Sequence, residues 1–133
     1  MKKSVCIVVA NFYPKISKAL IVGSIKTLKS KGLKNYKVIK VPGVFEIPYV
    51  VKKNIKKYDG FIALGCVIKG ETPHFDFISR ASINAIMTLS LSYNKPIANG
   101  IITCLDKKQA LARSVNNNKG KESAKAIISL LKF

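Results

Sequence analysis

The run Phe61-Ile62-Ala63-Leu64-Gly65-Cys66-Val67-Ile68-Lys69-Gly70-Glu71-Thr72-Pro73-His74-Phe75-Asp76 decides the fold. From Phe61 to Val67 it is apolar without alternation, the pattern of a central strand covered on both faces of a parallel sheet. A polar turn follows. Thr72, placed to be an N-cap, and Pro73, at the first helical position, then open a helix. Strand, turn and helix in that order form the first part of a βαβ unit, whose helix returns the chain to a parallel neighbour.

Working outward, the same alternation repeats. Ser4 to Ala10 is an apolar, β-branched run read as the first strand. A helix from about Lys15 to Lys31 follows, with Ile21, Ile25 and Leu28 on one face and Gly32 as the glycine that closes it. Tyr36 to Val41 is the second strand. The second helix spans about Glu46 to Lys57, with Ile47, Val50, Val51 and Ile55 at helical spacing, and Asp59-Gly60 is a turn before the central strand. The third helix runs from Pro73 to Tyr93 with Ile78, Ala81, Ala85, Ile86 and Leu89 inward, until Asn94-Lys95-Pro96 breaks it. Ile97 to Thr103 is the fourth strand. Asp106 can cap a short helix to about Ser114, Val115 to Gly120 reads as a polar loop, and a last helix ends at Phe133. The order βαβαβαβαα predicts an α/β protein: a flavodoxin-like three-layer sandwich with a four-stranded parallel sheet, order 2-1-3-4, and helices on both faces. The 133 residues are expected to form a single domain, 1–133.

Composition sets the outer limits. The apolar content of 48% fits a globular chain. No apolar run reaches the roughly 20 residues needed to span a bilayer. The start, Met1-Lys2-Lys3, leads into an apolar run too short for a signal peptide, with no small-residue cleavage site, so the expected location is cytoplasmic. Cys6, Cys66 and Cys104 are far apart, and with one histidine in the chain no zinc ligand set is expected; buried, reduced thiols are. The net charge is +18, which raises the question of nucleic acid. Only Arg80 and Arg113 are arginine, the residue for bidentate phosphate and guanine contacts, and the lysines are scattered over every helix. Abundant Ile, Asn and Lys read instead as the bias of an AT-rich coding sequence, and the composition argues against a nucleic-acid partner.

Ligands of such sheets bind at the carboxyl ends of the strands. That rule marks Asn11-Phe12, Gly43 to Glu46, Cys66 to His74, and Asn99 to Cys104. The start of the third helix offers free backbone amides and a dipole for an anion, with Gly70 allowing close approach and Lys69 adding charge. An ordinary helix start explains the same residues. His74, the only histidine, has the side chain suited to proton transfer near neutral pH, although a structural or merely exposed role is also open. Phe12 and Phe45 sit where turns are normally polar; they either stack on a flat heterocycle or pack on helices. Glu46 suits a helix start and suits hydroxyl groups of a ligand equally well. Arg113, in a chain with two arginines, is a candidate phosphate clamp.

Taken together, these segments resemble the lumazine synthase family over nearly the whole chain. Gly43-Val44-Phe45-Glu46-Ile47-Pro48 is similar to that family's G-[AV]-[FW]-E-[IL]-P motif. Ala63 to Asp76 is similar to its A-L-G-x-V-I-[RK]-G-x-T-x-H-[FY]-[DE] signature, and Asn118-Lys119-Gly120 with Glu122 resembles its N-K-G-x-E segment. The resemblance implies condensation of 5-amino-6-(D-ribitylamino)uracil with 3,4-dihydroxy-2-butanone 4-phosphate to 6,7-dimethyl-8-ribityllumazine, the penultimate step of riboflavin biosynthesis. It implies no metal and no cofactor.

Carried over by motif, Phe12 stacks on the pyrimidine. Val44, Phe45 and Glu46 hold the ribityl chain, and Cys66, Val67 and Ile68 the ring edge. Glu71 and Thr72 bind the butanone phosphate, His74 transfers protons, and Arg113 pairs with the phosphate with Lys119 nearby. Asn99 stands where relatives often place a phenylalanine of the adjacent subunit, so its ring contact loses the stacking. The family further implies a homo-oligomer with active sites between subunits, either a pentamer or a sixty-subunit shell of twelve pentamers. An early first strand and a shortened 115–118 loop, together with like-charged subunits, favour the pentamer. Two other functions are expected to compete: an archaeal-type riboflavin synthase of the same fold, against which the intact Thr72-Pro73-His74 argues, and a basic, non-enzymatic shell that binds nucleic acid.

Overall fold

The structure is a computed structural model and describes residues 2–132. Four strands, β1 (Ser4–Ala10), β2 (Asn35–Val41), β3 (Gly60–Ile68) and β4 (Ile97–Cys104), form one all-parallel sheet of order β2-β1-β3-β4. The expected α/β architecture and strand order are therefore present. The first seven residues of β3 are buried, as its unbroken apolar run requires in a strand with neighbours on both edges and helices on both faces.

Alternation along β1 divides the core into two. Val5, Ile7 and Val9 face α1 (Pro14–Ser30) and α5 (Lys119–Leu131), meeting Leu20, Leu28, Ala124, Ile127 and Ile128. Cys6, Val8 and Ala10 face the other side and meet Ile47, Val51 and Ile55 around α2 (Ile47–Asn54), and Ile86 of α3 (His74–Tyr93). Full burial of each such side chain contributes about 1.5–3 kcal/mol, so the two clusters dominate the stability of the sheet.

Helix ends follow the sequence with three corrections. Gly32 closes α1 with φ of +85°, the left-handed conformation glycine adopts freely, and the Leu33 N–H reaches back to the Leu28 carbonyl at 2.9 Å. The second helix starts later than expected: Val44–Glu46 is a 3-10 turn, and regular helix begins at Ile47 and ends by Asn54. Thr72 is not the N-cap of α3; Pro73 holds that position, and the Thr72 hydroxyl only approaches the His74 N–H at 3.4 Å. The expected polar loop Val115 to Gly120 is mostly helical. Asp106 caps α4 (Lys107–Leu111) by accepting from the Gln109 N–H at 2.9 Å, and the chain continues into a π turn, Ala112–Asn116. Asn118 then caps α5 at once. Phe133, the expected end of that helix, lies outside the described residues.

Helix α3 packs on most of the expected face, with Ile86 buried and Ile78 and Leu89 half-buried against the core, and departs from it in one respect. Ala81 is exposed, while Ser79, Ser82 and Ile86 are buried. Small side chains at that interface let the helix approach the sheet closely, and hydropathy alone does not select serine for it. Phe77, Met87 and Leu91 of the same helix stay exposed.

Candidate active site

The site begins where β1 and β2 end. The Asn11 N–H donates to the Val41 carbonyl at 2.8 Å, tying the two loops together. Phe12 follows, 68% exposed, its ring edge-on to Tyr13 at 4.9 Å between centroids. After β2, the 3-10 turn Val44–Glu46 settles onto the sheet because Gly65 has no side chain. A Cβ at Gly65 would come within 2.7 Å of Val44 Cγ1 and 3.1 Å of Ala10 Cβ. That contact explains why a glycine interrupts an otherwise branched strand: it sets the height of Phe45 and Glu46 above the sheet. The third wall is the end of β3, Cys66 to Ile68, and the fourth is the first turn of α3 with His74.

These walls enclose a pocket of about 520 Å³. Phe12, Val44, Phe45, Glu46, Cys66, Val67, Ile68 and His74, all singled out by the sequence, line it. Tyr13, Pro42, Gly43 and Ile78 line it as well and were not singled out as site residues. Two of these had a signal. Tyr13 directly follows Phe12 past the strand end, and Ile78 lies one helical turn beyond His74. Phe45 is 61% exposed, so both candidate stacking rings stand at the pocket's open side and neither is consumed by helix packing.

The wall thiols stay neutral. Burial, with a further push from Cys104, raises Cys66 to about 12, and burial likewise raises Cys104. All three cysteines are free and buried. Such thiols are weak hydrogen-bond donors and poor nucleophiles.

Glu71 and Thr72 lie outside the pocket, on the exposed loop that leads to His74. With Pro73 at the cap, the first turn of α3 is closed by its own backbone, the Asp76 N–H donating to the Pro73 carbonyl at 3.0 Å. The cationic residues sit elsewhere. Asn99, Arg113 and Lys119 line a second cleft of about 620 Å³, along the β4 edge of the sheet, that shares no residue with the first. Arg113 donates to the Thr103 carbonyl at 3.3 Å, leaving most of its guanidinium free for another partner. Asn99 Oδ1 accepts from the Ile101 N–H at 3.0 Å, and Lys119 pairs with Glu122 at 3.3 Å. A single chain thus brings a heterocycle-sized slot and its one histidine together, and holds its candidate phosphate clamp apart from them.

Beside the second cleft, a clasp ties α1 to the start of α5. Asn118 Oδ1 accepts from the Lys121 N–H at 3.1 Å while its Nδ2 donates to the Ala19 carbonyl at 2.9 Å. The Ser24 hydroxyl donates to the Gly120 carbonyl at 2.9 Å. A Cβ on Gly120 would overlap the Leu20 carbonyl, and one on Gly23 would overlap Asn118. The Asn118-Lys119-Gly120 segment is therefore a structural device that aims Lys119.

Comparison with known proteins agrees with the geometry. The sequence model described as 6,7-dimethyl-8-ribityllumazine synthase matches residues 2–133. A protein of that name from Bartonella henselae is 43% identical over 136 residues, covering 98% of this chain and 87% of its own. A 6,7-dimethyl-8-ribityllumazine synthase 1 from Rhodopseudomonas palustris is 42% identical over 138 residues, covering 97% and 84%. One from Limosilactobacillus reuteri is 39% identical over 129 residues, covering 94% and 85%.

Proposed function

Because the chain belongs to the 6,7-dimethyl-8-ribityllumazine synthase family, we propose that it condenses 5-amino-6-(D-ribitylamino)uracil with 3,4-dihydroxy-2-butanone 4-phosphate. The observation that carries the reading to these residues is the convergence of Phe12, Phe45, Glu46 and His74 on one pocket at the carboxyl ends of β1, β2 and β3. The rival functions, a riboflavin synthase of the same fold and a nucleic-acid-binding shell, draw no support from the relatives.

In this reading the pyrimidine lies against Phe12, with its ring edge along Cys66, Val67 and Ile68. The ribityl chain runs over Val44 and Phe45 towards the Glu46 carboxylate, which accepts its hydroxyl protons. The free amine attacks the butanone carbonyl; water leaves and an imine forms. Removal of a proton next to the imine then expels phosphate by β-elimination. After tautomerisation, the ribityl-bearing nitrogen closes the ring on the remaining carbonyl and a second water departs. His74 is the group placed to accept and return those protons. No residue is required as a nucleophile, so the enzyme acts chiefly by holding two substrates together. In favourable cases that effect is worth roughly 7–11 kcal/mol.

The phosphate needs cations, and the candidate clamp, Arg113 with Lys119, lines a different cleft. The site is therefore completed by a neighbouring subunit that brings Arg113, Asn99 and Lys119 against the loop of Glu71, Thr72 and His74. A head-to-tail contact of this kind closes into a ring, and a pentamer is the proposed assembly. Exposed Phe77, Met87 and Leu91 on α3 supply an apolar surface for such a contact.

Incubating the purified protein with both substrates tests the function. The absorbance of the lumazine product is expected to grow with time, and its absence in correctly assembled protein would sink the reading. Native mass measurement in solution separates a pentamer from a sixty-subunit shell.

A further inference from the structure

We propose that the Tyr13 hydroxyl donates a hydrogen bond to a ring carbonyl of the pyrimidine, which makes Tyr13 a specificity-determining residue beside the stacking ring of Phe12. The inference rests on the pocket being the pyrimidine site, and adds to it a contact that the sequence motifs do not assign.

The backbone of Tyr13 is fixed. Its carbonyl accepts from the Ser17 N–H at 2.9 Å, and the Ser17 hydroxyl lies 3.0 Å from the same carbonyl and 2.7 Å from that of Ala10. The ring packs on one side against the buried cluster under α1 and lines the pocket on the other. Its edge-on contact with Phe12, at 74° between planes, turns the two rings into an angled wall. Among the described residues the phenol makes no hydrogen bond. A partly desolvated tyrosine hydroxyl normally has a partner, and leaving it without one is unfavourable.

The pocket shows what that partner must be. On the side of the sheet where Tyr13 packs, the pocket lining is Ile68 and the Cys66 thiol, while Glu46 and His74 line other walls. Burial, then the nearby Cys66, pushes the phenol above its ordinary range, so it stays protonated and donates. A neutral donor on an uncharged wall suits a neutral acceptor. The pyrimidine carries two ring carbonyls, whereas the butanone phosphate carries an anionic group better served by cations.

The test is Tyr13→Phe, which removes one oxygen and keeps the ring that packs on Phe12 and the core. The KM for the pyrimidine is expected to rise about fivefold, as for loss of one neutral hydrogen bond. The KM for the butanone phosphate and kcat are expected to hold. In a second measurement, two pyrimidine analogues, each lacking one ring carbonyl, compete against substrate on both proteins. One analogue is expected to lose affinity on the wild type and to lose none further on Tyr13→Phe. An unchanged pyrimidine KM, equal rises in both KM values, or additive losses with both analogues would overturn the proposal. If the wild type itself fails to turn over the two substrates, the proposed reaction fails, which is a separate outcome.

Discussion

Mixing two defective variants tests whether the site is shared. Phe12→Ala/His74→Ala strips the first pocket of its proposed stacking ring and proton-transfer group; Arg113→Ala strips the second cleft of its proposed clamp. Stacking on an aromatic ring is worth about 1–3 kcal/mol, and a charge-assisted hydrogen bond about 1.5–3 kcal/mol. Each parent should therefore lose at least about tenfold in kcat/KM at low substrate. The two clefts share no lining residue, so in one chain the lesions never occupy the same half of a site. If the variants are unfolded, mixed in equal amounts and refolded together, each contact in a closed ring draws its two halves independently. About one site in four then has both halves intact, whatever the ring size, and activity should rise to about a quarter of wild type. Turnover equal to the mean of the two separately refolded parents would refute a shared site, and with it the reason given for the distance between Arg113 and His74.

Further outcomes follow from local geometry. Gly120→Ala should destabilise by about 3 kcal/mol, the upper part of the overpacking range, because the clash is with the Leu20 carbonyl and not a movable side chain; Gly32→Ala, with open space but φ of +85°, should cost about 1 kcal/mol. Urea midpoints compare the two. Asn118→Ala removes a cap and a link to α1 and should cost about 2 kcal/mol, and it should raise the KM for the butanone phosphate more than that for the pyrimidine by loosening Lys119. Native Cys66 should react with an aromatic disulfide reagent at pH 8 only as fast as the protein unfolds. The unfolded thiols ionise near pH 9.0, whereas folded Cys6 and Cys66 hold their protons to about 11 and about 12. The unfolded chain thus binds fewer protons in that interval, and stability should fall as pH rises through it, as equilibrium unfolding at stepped pH would show.

The sheet was readable from β3 alone, since an apolar run without alternation fits few places other than the middle of a parallel sheet. Eight side chains of the pocket followed from strand ends, because carboxyl ends are fixed once the strand order is known. What sequence could not supply was anything set by close approach. Ser79 and Ser82 are buried with hydroxyls that lack a partner among the described residues, and hydropathy assigns such residues to the surface. The π turn at Ala112–Asn116 closes with a shifted bond, from the Asn117 N–H to the Ala112 carbonyl at 2.9 Å, and no residue pattern marks it. Tyr13 follows Phe12 past the strand end, but that its hydroxyl lacks a partner among the described residues is a property of the fold and not of the sequence pattern.

The clasp between α1 and α5 bears on how far this sequence can drift. A chain with 22 lysines shows how freely its outer faces accept one residue type. At Gly23 and Gly120 that freedom ends, since any side chain there strikes Asn118 or the Leu20 carbonyl. Mutational pressure can recolour the surface while these few contacts hold the start of α5 to α1. A change at Gly23 would have to arrive together with a smaller residue at 118, which makes the two positions a coupled pair on which selection acts jointly.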